Sequence, residues 1–504
     1  MQMAIRAGVA AAALLMACGG ACAAPSALLR CDGRGVGPAP VEQLVGGVPT
    51  LVSTPAAGEA PGIDRQALER DEAGLAACEE ALRDPQLAAN PVRRAEVLMS
   101  MAIRSIELER YDAALAAADA ALGVPLAPVV RARFESTTMP SLLLAKAFAL
   151  VALGRLDEAE AQADAAARLR PWSDFFVQSA TLVMSMSPAI SPVEAAWLDR
   201  LHRMRVGQWR GRARIGDGQW RAATADIAQL LPLRDAIRPL RYQVDLAVLL
   251  AIDGQTEAAA AAVASAERML GENDPAIVGN GLVGEPALGR QILRLAQAQI
   301  ALNRGEVEAA RSWLLQNPTW WLVPADLAVP VATSFEAKAG EPASEALSLQ
   351  KARDRLNQSR IGEVYGDKMR TALMAALPRW QDPAAEAALA RQVLPGPGAP
   401  QARRRKDGQA FTLSSGKLFD EISGSEIMLL ATARAAAARG ADRFAVVLVK
   451  KEQTGIKGVQ ALVEIRYDFV VPGDPLFAGQ ASRALNVAEV EAALGPRFTA
   501  APQQ

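Results

Sequence analysis

One sequence pattern recurs along this chain: a turn residue followed by an alanine-rich segment that is predicted to be a helix. Residues 154–171 read G-R-L-D-E-A-E-A-Q-A-D-A-A-A-R-L-R-P. Gly154 can adopt the left-handed conformation that ends the preceding helix, and Pro171 cannot continue the following one. Since helices approach closely only where small side chains lie at their contact, we interpret the alanines as a packing surface. The pattern predicts a pair of antiparallel helices.

The same pattern is repeated around four other turns. The five turns are at Glu109, Gly154, Gly218, Gly254 and Gly305, and they lie 45, 64, 36 and 51 residues apart. The residues that keep the spacing are Ala102, Tyr111, Ala114 and Ala121; Ala147, Leu150, Ala159 and Ala163; Trp220, Ala223 and Ile227; Ala247, Leu250, Ala259 and Ala266; and Ala298, Ala310 and Leu314. We expect a helix pair at each turn.

These offsets resemble those of the tetratricopeptide repeat (TPR), whose uninterrupted copies recur about every 34 residues. The wider spacing here makes the array irregular. The resemblance implies a mainly α fold, an α-solenoid of about five or six TPR-like helix pairs, which exceeds the minimum of about three that buries a continuous core. The alternative is a generic alanine-rich bundle.

The resemblance also implies a concave groove that binds a peptide or protein. The family's groove offsets fall on Phe148, Arg241 and Gln299. They also fall on Met99, Ile103, Ile106, Leu144, Val151, Val244, Val248, Ile292 and Leu295. Most of these residues are apolar, so the core between repeats is an alternative location for them.

One stretch of the repeat region is strongly basic. Residues 199–216 contain six arginines, and Arg205, Gln208 and Arg212 are expected on the groove side. A guanidinium fork suits carboxylates, including a partner's acidic side chains or C-terminus. A solvated charged face is the alternative interpretation.

The N-terminus has the layout of a secretory signal. Arg6 precedes an apolar run, residues 7–17, that is too short to span a bilayer, and residues 21–23 offer a small-x-small cleavage site. Cleavage there would start the mature chain near Ala24. In the alternative, Cys18 is the lipidated residue of a lipoprotein box, and only then is membrane attachment expected.

The number of cysteines left after processing bears on the choice between a cleaved secretory signal and a lipoprotein box. Cleavage after Ala23 leaves Cys31 and Cys78, a pairable number in an oxidising compartment. A bridge between them would contribute on the order of 3–4 kcal/mol by closing the loop. Two buried free thiols are the alternative.

Composition narrows the classes of partner. The 504 residues are 51% hydrophobic and 22% charged, with 54 basic and 55 acidic side chains and a net charge of -1. This balance gives no global attraction to nucleic acid or anionic membranes. The single histidine, His202, excludes multi-histidine metal sites. We expect no catalytic residues, no metal and no cofactor.

The C-terminal region follows a different pattern. Residues 395–408 are predicted as a linker, whose basic run 403–406 we assign to solubility. Beyond it we predict strands at 410–414, 443–449 and 458–471 and helices at 422–440 and 485–494. This order resembles a small domain of uncharacterised proteobacterial envelope proteins and lipoproteins. The matching residues are Ala433, Gly440, Phe444, Val446, Val463, Glu464 and Ile465.

The resulting domain map has six parts. They are a signal peptide (1–23), an irregular leader (24–62), a TPR-like domain (63–394), a linker (395–408), a small α/β domain (409–498) and a tail (499–504). We expect an exported scaffold of the periplasm or cell envelope that binds a protein or peptide. The alternative is an envelope enzyme with a catalytic C-terminal domain and substrate-recruiting repeats.

Overall fold

The computed structural model describes most of the chain in separate stretches. They are residues 26–32, 69, 71–187, 190–204, 218–233, 239–272, 285–316, 325–340, 390–391, 394, 401–457 and 460–499. The chain divides into two compact units, Met1–Leu126 and Ala127–Gln504. The predicted signal peptide, including Cys18, lies outside the described residues. The described part is mainly helical and ends in a small antiparallel sheet, which confirms the predicted fold class at that level.

The first unit is helical throughout its described part. Its helices are α1 (Ala27–Asp32), α2 (Asp71–Ala81), α3 (Pro85–Ala88), α4 (Pro91–Glu107) and α5 (Tyr111–Leu122). At the start of α4, the Asn90 side chain accepts a hydrogen bond from the backbone N–H of Arg93, and Pro91 occupies the first turn. Both features favour a helix start at this point.

A disulfide joins the first two helices. Cys31 and Cys78 are bonded, which confirms their predicted pairing, and both are buried beside Leu28 and Leu87. Helix α1 lies inside the segment predicted as an irregular leader. The reason is that the bridge and this apolar cluster hold α1 against α2, which a short helix needs because it is not stable alone.

The second unit begins with ten described helices. They are α6 (Pro128–Ala152), α7 (Leu156–Leu169), α8 (Asp174–Met184), α9 (Pro192–Met204), α10 (Trp220–Leu230), α11 (Pro239–Ile252), α12 (Thr256–Glu272), α13 (Glu285–Asn303), α14 (Val307–Leu315) and α15 (Ala325–Ala339). Helices α6 and α7, α11 and α12, and α13 and α14 are paired neighbours in contact. Helix α11 also packs against α13, and α13 against α15.

The predicted turns have the backbone conformation that the sequence indicated. Gly154, Gly218, Gly254 and Gly305 have φ values of 73°, 69°, 79° and 81°, and Glu109 has φ 59°. All five values lie in the left-handed region, where a residue without a Cβ is least strained. Described helices meet as expected at Glu109, Gly154, Gly254 and Gly305, whereas the residues directly before Gly218 lie outside the described stretches.

The predicted alanine packing surface is buried. Ala147 and Ala159 of the α6–α7 pair are 0% and 1% exposed. Their counterparts in the other pairs are Ala102, Ala114, Ala223, Ala247, Ala259, Ala298 and Ala310, and all are buried. Small side chains thus lie inside the helix pairs that the structure describes, where close approach of the backbones requires them.

We expect opposite effects from the same substitution at two glycines near α12. Gly254→Ala should destabilise the second unit by about 1 kcal/mol because of its positive φ, whereas Gly271→Ala, inside the helix, should stabilise it by about 0.5 kcal/mol. An added Cβ would meet nothing within 4 Å at either position, so only backbone preference differs. Urea unfolding midpoints measure both changes; equal shifts would contradict the assigned turn.

The C-terminal part of the second unit contains a five-stranded antiparallel sheet. Its elements are β1 (Arg403–Arg404), β2 (Phe411–Asp420), α16 (Glu421–Ala437), β3 (Arg443–Lys457), β4 (Gln460–Val470), α17 (Phe477–Gln480), β5 (Leu485–Asn486) and α18 (Val487–Thr499). The strand order is β1-β2-β4-β3-β5. Every predicted strand and helix of this region is present. The two-residue edge strands were not predicted, because two residues carry no periodicity.

The sheet and the preceding helices share one hydrophobic core. Phe444 and Phe469 of the sheet lie in the same buried cluster as Trp172, Leu201 and Leu230 of the helical part. Helix α16 contacts α8, and α9 contacts β3. Strand β1 lies inside the segment predicted as a linker, because its backbone pairs with β2 at Arg403↔Thr412 and Arg404↔Phe411. The C-terminal region is therefore packed onto the helices rather than tethered beside them.

Candidate interaction surface

The predicted groove residues Phe148 and Gln299 and the apolar candidates are in the core. Phe148 is 2% exposed and Gln299 is 4% exposed. The Gln299 side-chain amide donates to Asn303 Oδ1 at 2.9 Å and to Ser334 Oγ at 3.2 Å. The apolar candidates are also buried: Met99, Ile103, Ile106, Leu144, Val151, Val244, Val248, Ile292 and Leu295. The same residue types suit a core and a groove, and here neighbouring helices enclose them.

Arg241 is engaged within its own helix. Its Nε donates to both carboxylate oxygens of Asp245, at 3.0 and 2.9 Å. The Asp245 side chain is 3% exposed, and the Arg241 side chain 18%. Burial raises the pKa of Asp245 above its ordinary value of 3.8, against the opposing effect of Arg241. In this arrangement Arg241 compensates a buried acid.

The raised pKa of Asp245 predicts a pH-dependent effect of Asp245→Asn. Asp245 contributes stability that is fully present below pH 3.8 and is lost as the pH rises through its folded-state pKa. The free energy of unfolding of the wild type, minus that of the variant, should therefore fall between pH 3.5 and neutrality. The fall is about 1.4 kcal/mol for each unit by which the pKa is raised. Urea titrations across this range would show it; a pH-independent difference would contradict it.

The predicted contact residues Arg205, Gln208 and Arg212 lie outside the described residues. The last described residues before them form the end of α9, where His202 is buried. The backbone carbonyl of His202 accepts a hydrogen bond from Arg483 Nε at 3.0 Å. The start of the arginine-rich stretch is therefore fixed against the C-terminal region.

A buried ion-pair network joins the helices to the C-terminal region. Arg170 donates to Glu426 through Nε at 2.9 Å and Nη2 at 2.6 Å, and both side chains are 1% exposed. The remaining Arg170 nitrogen, Nη1, donates to the Ser136 carbonyl at 2.9 Å. Arg497 of α18 donates to Glu426 Oε2 at 2.7 Å. Two cations thus compensate one buried carboxylate.

A second buried arginine crosses the same boundary. Arg483 is fully buried and donates to the carbonyls of His202 and Val446 and to Gln480 Oε1. Gln480 in turn donates to the Gln229 carbonyl at 2.7 Å. These bonds connect α9 and α10 with the sheet. Nothing in the local sequence around residue 483 indicates this role.

The buried carboxylate of the sheet is also compensated by arginine. Asp468 is 0% exposed and accepts from Arg405 at 3.0 Å, from Arg466 at 2.9 and 2.8 Å, and from the Thr412 hydroxyl at 2.8 Å. These bonds compensate the charge of Asp468, and removing its partners would leave a buried charge uncompensated. Arg405 was assigned to solubility by the sequence, and its position beside Asp468 corrects that assignment.

The other cations of β1 and the β1–β2 turn form an exposed group with one residue of the turn that follows α16. We call Arg403, Arg404, Lys406 and Arg439 the basic hairpin surface. Arg404 and Arg439 both place their guanidinium carbon near the ring of Phe411, at 4.7 and 4.4 Å from its centre. Arg439 also donates to the carbonyls of residues 402 and 435. Sequence reasoning missed this surface because Arg439 is distant in the chain.

The described stretches show neither a metal centre nor a membrane-spanning helix. They contain no group of three or more potential metal ligands, and no helix long and apolar enough to cross a membrane. No protein-family model matches the chain, and comparisons with curated proteins and with solved structures gave no match.

Proposed function

We propose that this protein is an interaction scaffold that binds another protein or a peptide. The observation that carries the proposal is the recurrence of helix pairs joined by left-handed turns, with alanines at their contacts. The first helix of one pair packs against the first helix of the next, α11 against α13. This arrangement is typical of α-solenoids, including TPR-like ones, which present extended surfaces for partners.

The buried acids of the C-terminal region support this function over the enzyme alternative. Glu426 is bonded to Arg170 and Arg497, and Asp468 to Arg405 and Arg466. A general acid or base has to exchange a proton with a bound substrate. Both carboxylates instead have structural partners on several sides.

The proposed location is the periplasm or the outer face of the cell envelope. The Cys31–Cys78 disulfide supports it, since such bonds persist in oxidising compartments. The signal-like N-terminus is the second support.

Site-specific crosslinking in intact envelopes tests the scaffold. A photo-crosslinkable residue at position 205, 208 or 212 should yield a discrete adduct with another protein. The same residue at Arg168, whose side chain is 68% exposed on α7, is the matched control and should yield none. Arg205→Glu together with Arg212→Glu should reduce capture at position 208. The absence of any adduct at all three positions would contradict the proposal.

A further inference from the structure

Positively charged side chains cluster on the basic hairpin surface. Arg403, Arg404, Lys406 and Arg439 are all exposed. Among the described residues, the ion pairs at this turn are Arg404 with Asp474 and Arg405 with Asp407 and Asp468. Arg403 and Lys406 have no such pair within that part of the chain. The surface therefore carries a net positive charge that a bound anion would offset.

Two of these cations are held in place before any ligand arrives. Arg404 and Arg439 both lie against Phe411, whose ring stacks on Phe469 of the core at 5.6 Å between centres. Cation–π contacts and the carbonyl bonds of Arg439 fix both guanidinium groups. Like charges near one ring repel each other, and an acidic ligand would relieve that repulsion. Fixed groups also lose less conformational entropy on binding.

The backbone beside these cations is the edge of the sheet formed by the described strands. Strand β1 is the terminal strand in the order β1-β2-β4-β3-β5, and both of its residues are exposed. An extended segment can pair with such an edge through main-chain hydrogen bonds. Successive strand residues face opposite sides of a sheet, so Arg403 and Arg404 would contact alternate side chains of that segment.

We propose that the basic hairpin surface docks an extended acidic segment of a partner protein along β1. This inference rests on the proposed scaffold function and assigns a second contact to the same partner. A protein segment fits better than an anionic membrane, because β1 offers its backbone to an extended chain, which a lipid surface cannot pair with. The described large apolar side chain that is exposed is Leu315, on α14 and not at this turn, so no wedge for lipid accompanies the charge.

Binding of a labelled poly-glutamate peptide of about ten residues tests the charge complementarity. Fluorescence anisotropy with the full mature chain should show binding that weakens between about 50 and 200 mM salt. Arg403→Glu together with Lys406→Glu should raise Kd at least about fivefold, since two attractions become repulsions. The matched control, Arg168→Glu with Arg221→Glu, changes the net charge equally at exposed sites and should leave Kd unchanged.

Three results of these binding measurements would overturn the docking inference. Equal losses in both double variants would show a non-specific charge effect and overturn it. No peptide binding, with co-sedimentation of the chain on vesicles of anionic phospholipid, would replace the protein partner by a membrane surface. No binding to either probe would leave β1 as a charged edge that only prevents aggregation, and would also overturn it.

The envelope crosslinking experiment separates this inference from the scaffold function. If the wild type captures a partner and Arg403→Glu with Lys406→Glu captures it equally well, the docking inference fails and the scaffold remains. If the wild type captures nothing, the scaffold function itself fails. A yield reduced at least about fivefold in the hairpin variant alone would support both.

Discussion

Glu426→Gln should lower the free energy of unfolding of the second unit by about 3–5 kcal/mol, because it removes the anion that compensates a buried cation. Arg170 is 1% exposed and would keep its charge without a counter-ion, since an arginine does not lose its proton in a protein. Arg497, whose side chain is 20% exposed, can turn towards water and should contribute less to the loss. Urea unfolding of the full chain, with hydrogen exchange of α16 to identify the unit, measures this change.

A second ion pair between α16 and α18, the helices that carry Glu426 and Arg497, provides a matched control. Arg434 of α16 donates to Glu491 of α18 at 2.8 and 2.5 Å, but the Glu491 side chain is 42% exposed. Glu491→Gln should therefore cost less than about 1 kcal/mol. Comparable losses in the Glu426 and Glu491 variants would refute the importance of burial. A second check is Arg170→Met combined with Glu426→Leu, which should recover most of the stability because no buried charge remains.

Removing the disulfide should have the largest effect on the first unit. The bridge closes a sequence separation of 47 residues, for which loop-closure entropy gives about 4 kcal/mol. Cys31→Ser together with Cys78→Ser should therefore destabilise the packing of α1 against α2 and the apolar cluster that includes Leu28 and Leu87. Limited proteolysis within the first unit, compared with unfolding by urea, measures this loss.

Reductant provides the control for the disulfide. Dithiothreitol should destabilise the first unit of the wild type to the level of the double serine variant. It should leave the variant itself, and the hydrogen exchange of the second unit, unchanged. A wild type whose first unit resists proteolysis equally with and without reductant would mean that the bridge contributes little.

The sequence predicted the turns, helices and strands that are determined by residues close together in the chain. The turns at Gly154 and Gly254 were identifiable because a left-handed backbone favours glycine. The strands were identifiable from the apolar run at 443–449 and from the alternation at 458–471. The direction in which Phe148 points was not identifiable, because an apolar residue on a helix satisfies a groove and a core equally. Sequence could also not pair Arg170 with Glu426, which lie 256 residues apart.

The Arg403–Lys406 run shows the same limit. As a string of cations it has the composition of a solubilising linker, and only the pairing of β1 with β2 separates its members. Arg405 contacts a buried aspartate, whereas Arg404 lies over an aromatic ring. Identical residue types thus acquire different roles through three-dimensional neighbours that the sequence does not show.

The shared core also sets the order in which the chain can fold. Trp172, Leu201 and Leu230 are buried with Phe444 and Phe469, so α8 to α10 cannot be fully covered until the last hundred residues or so have left the ribosome. Contacts of such long range slow folding, because the chain between them has to be closed into a loop first. A chain truncated before the sheet would expose these apolar side chains and aggregate.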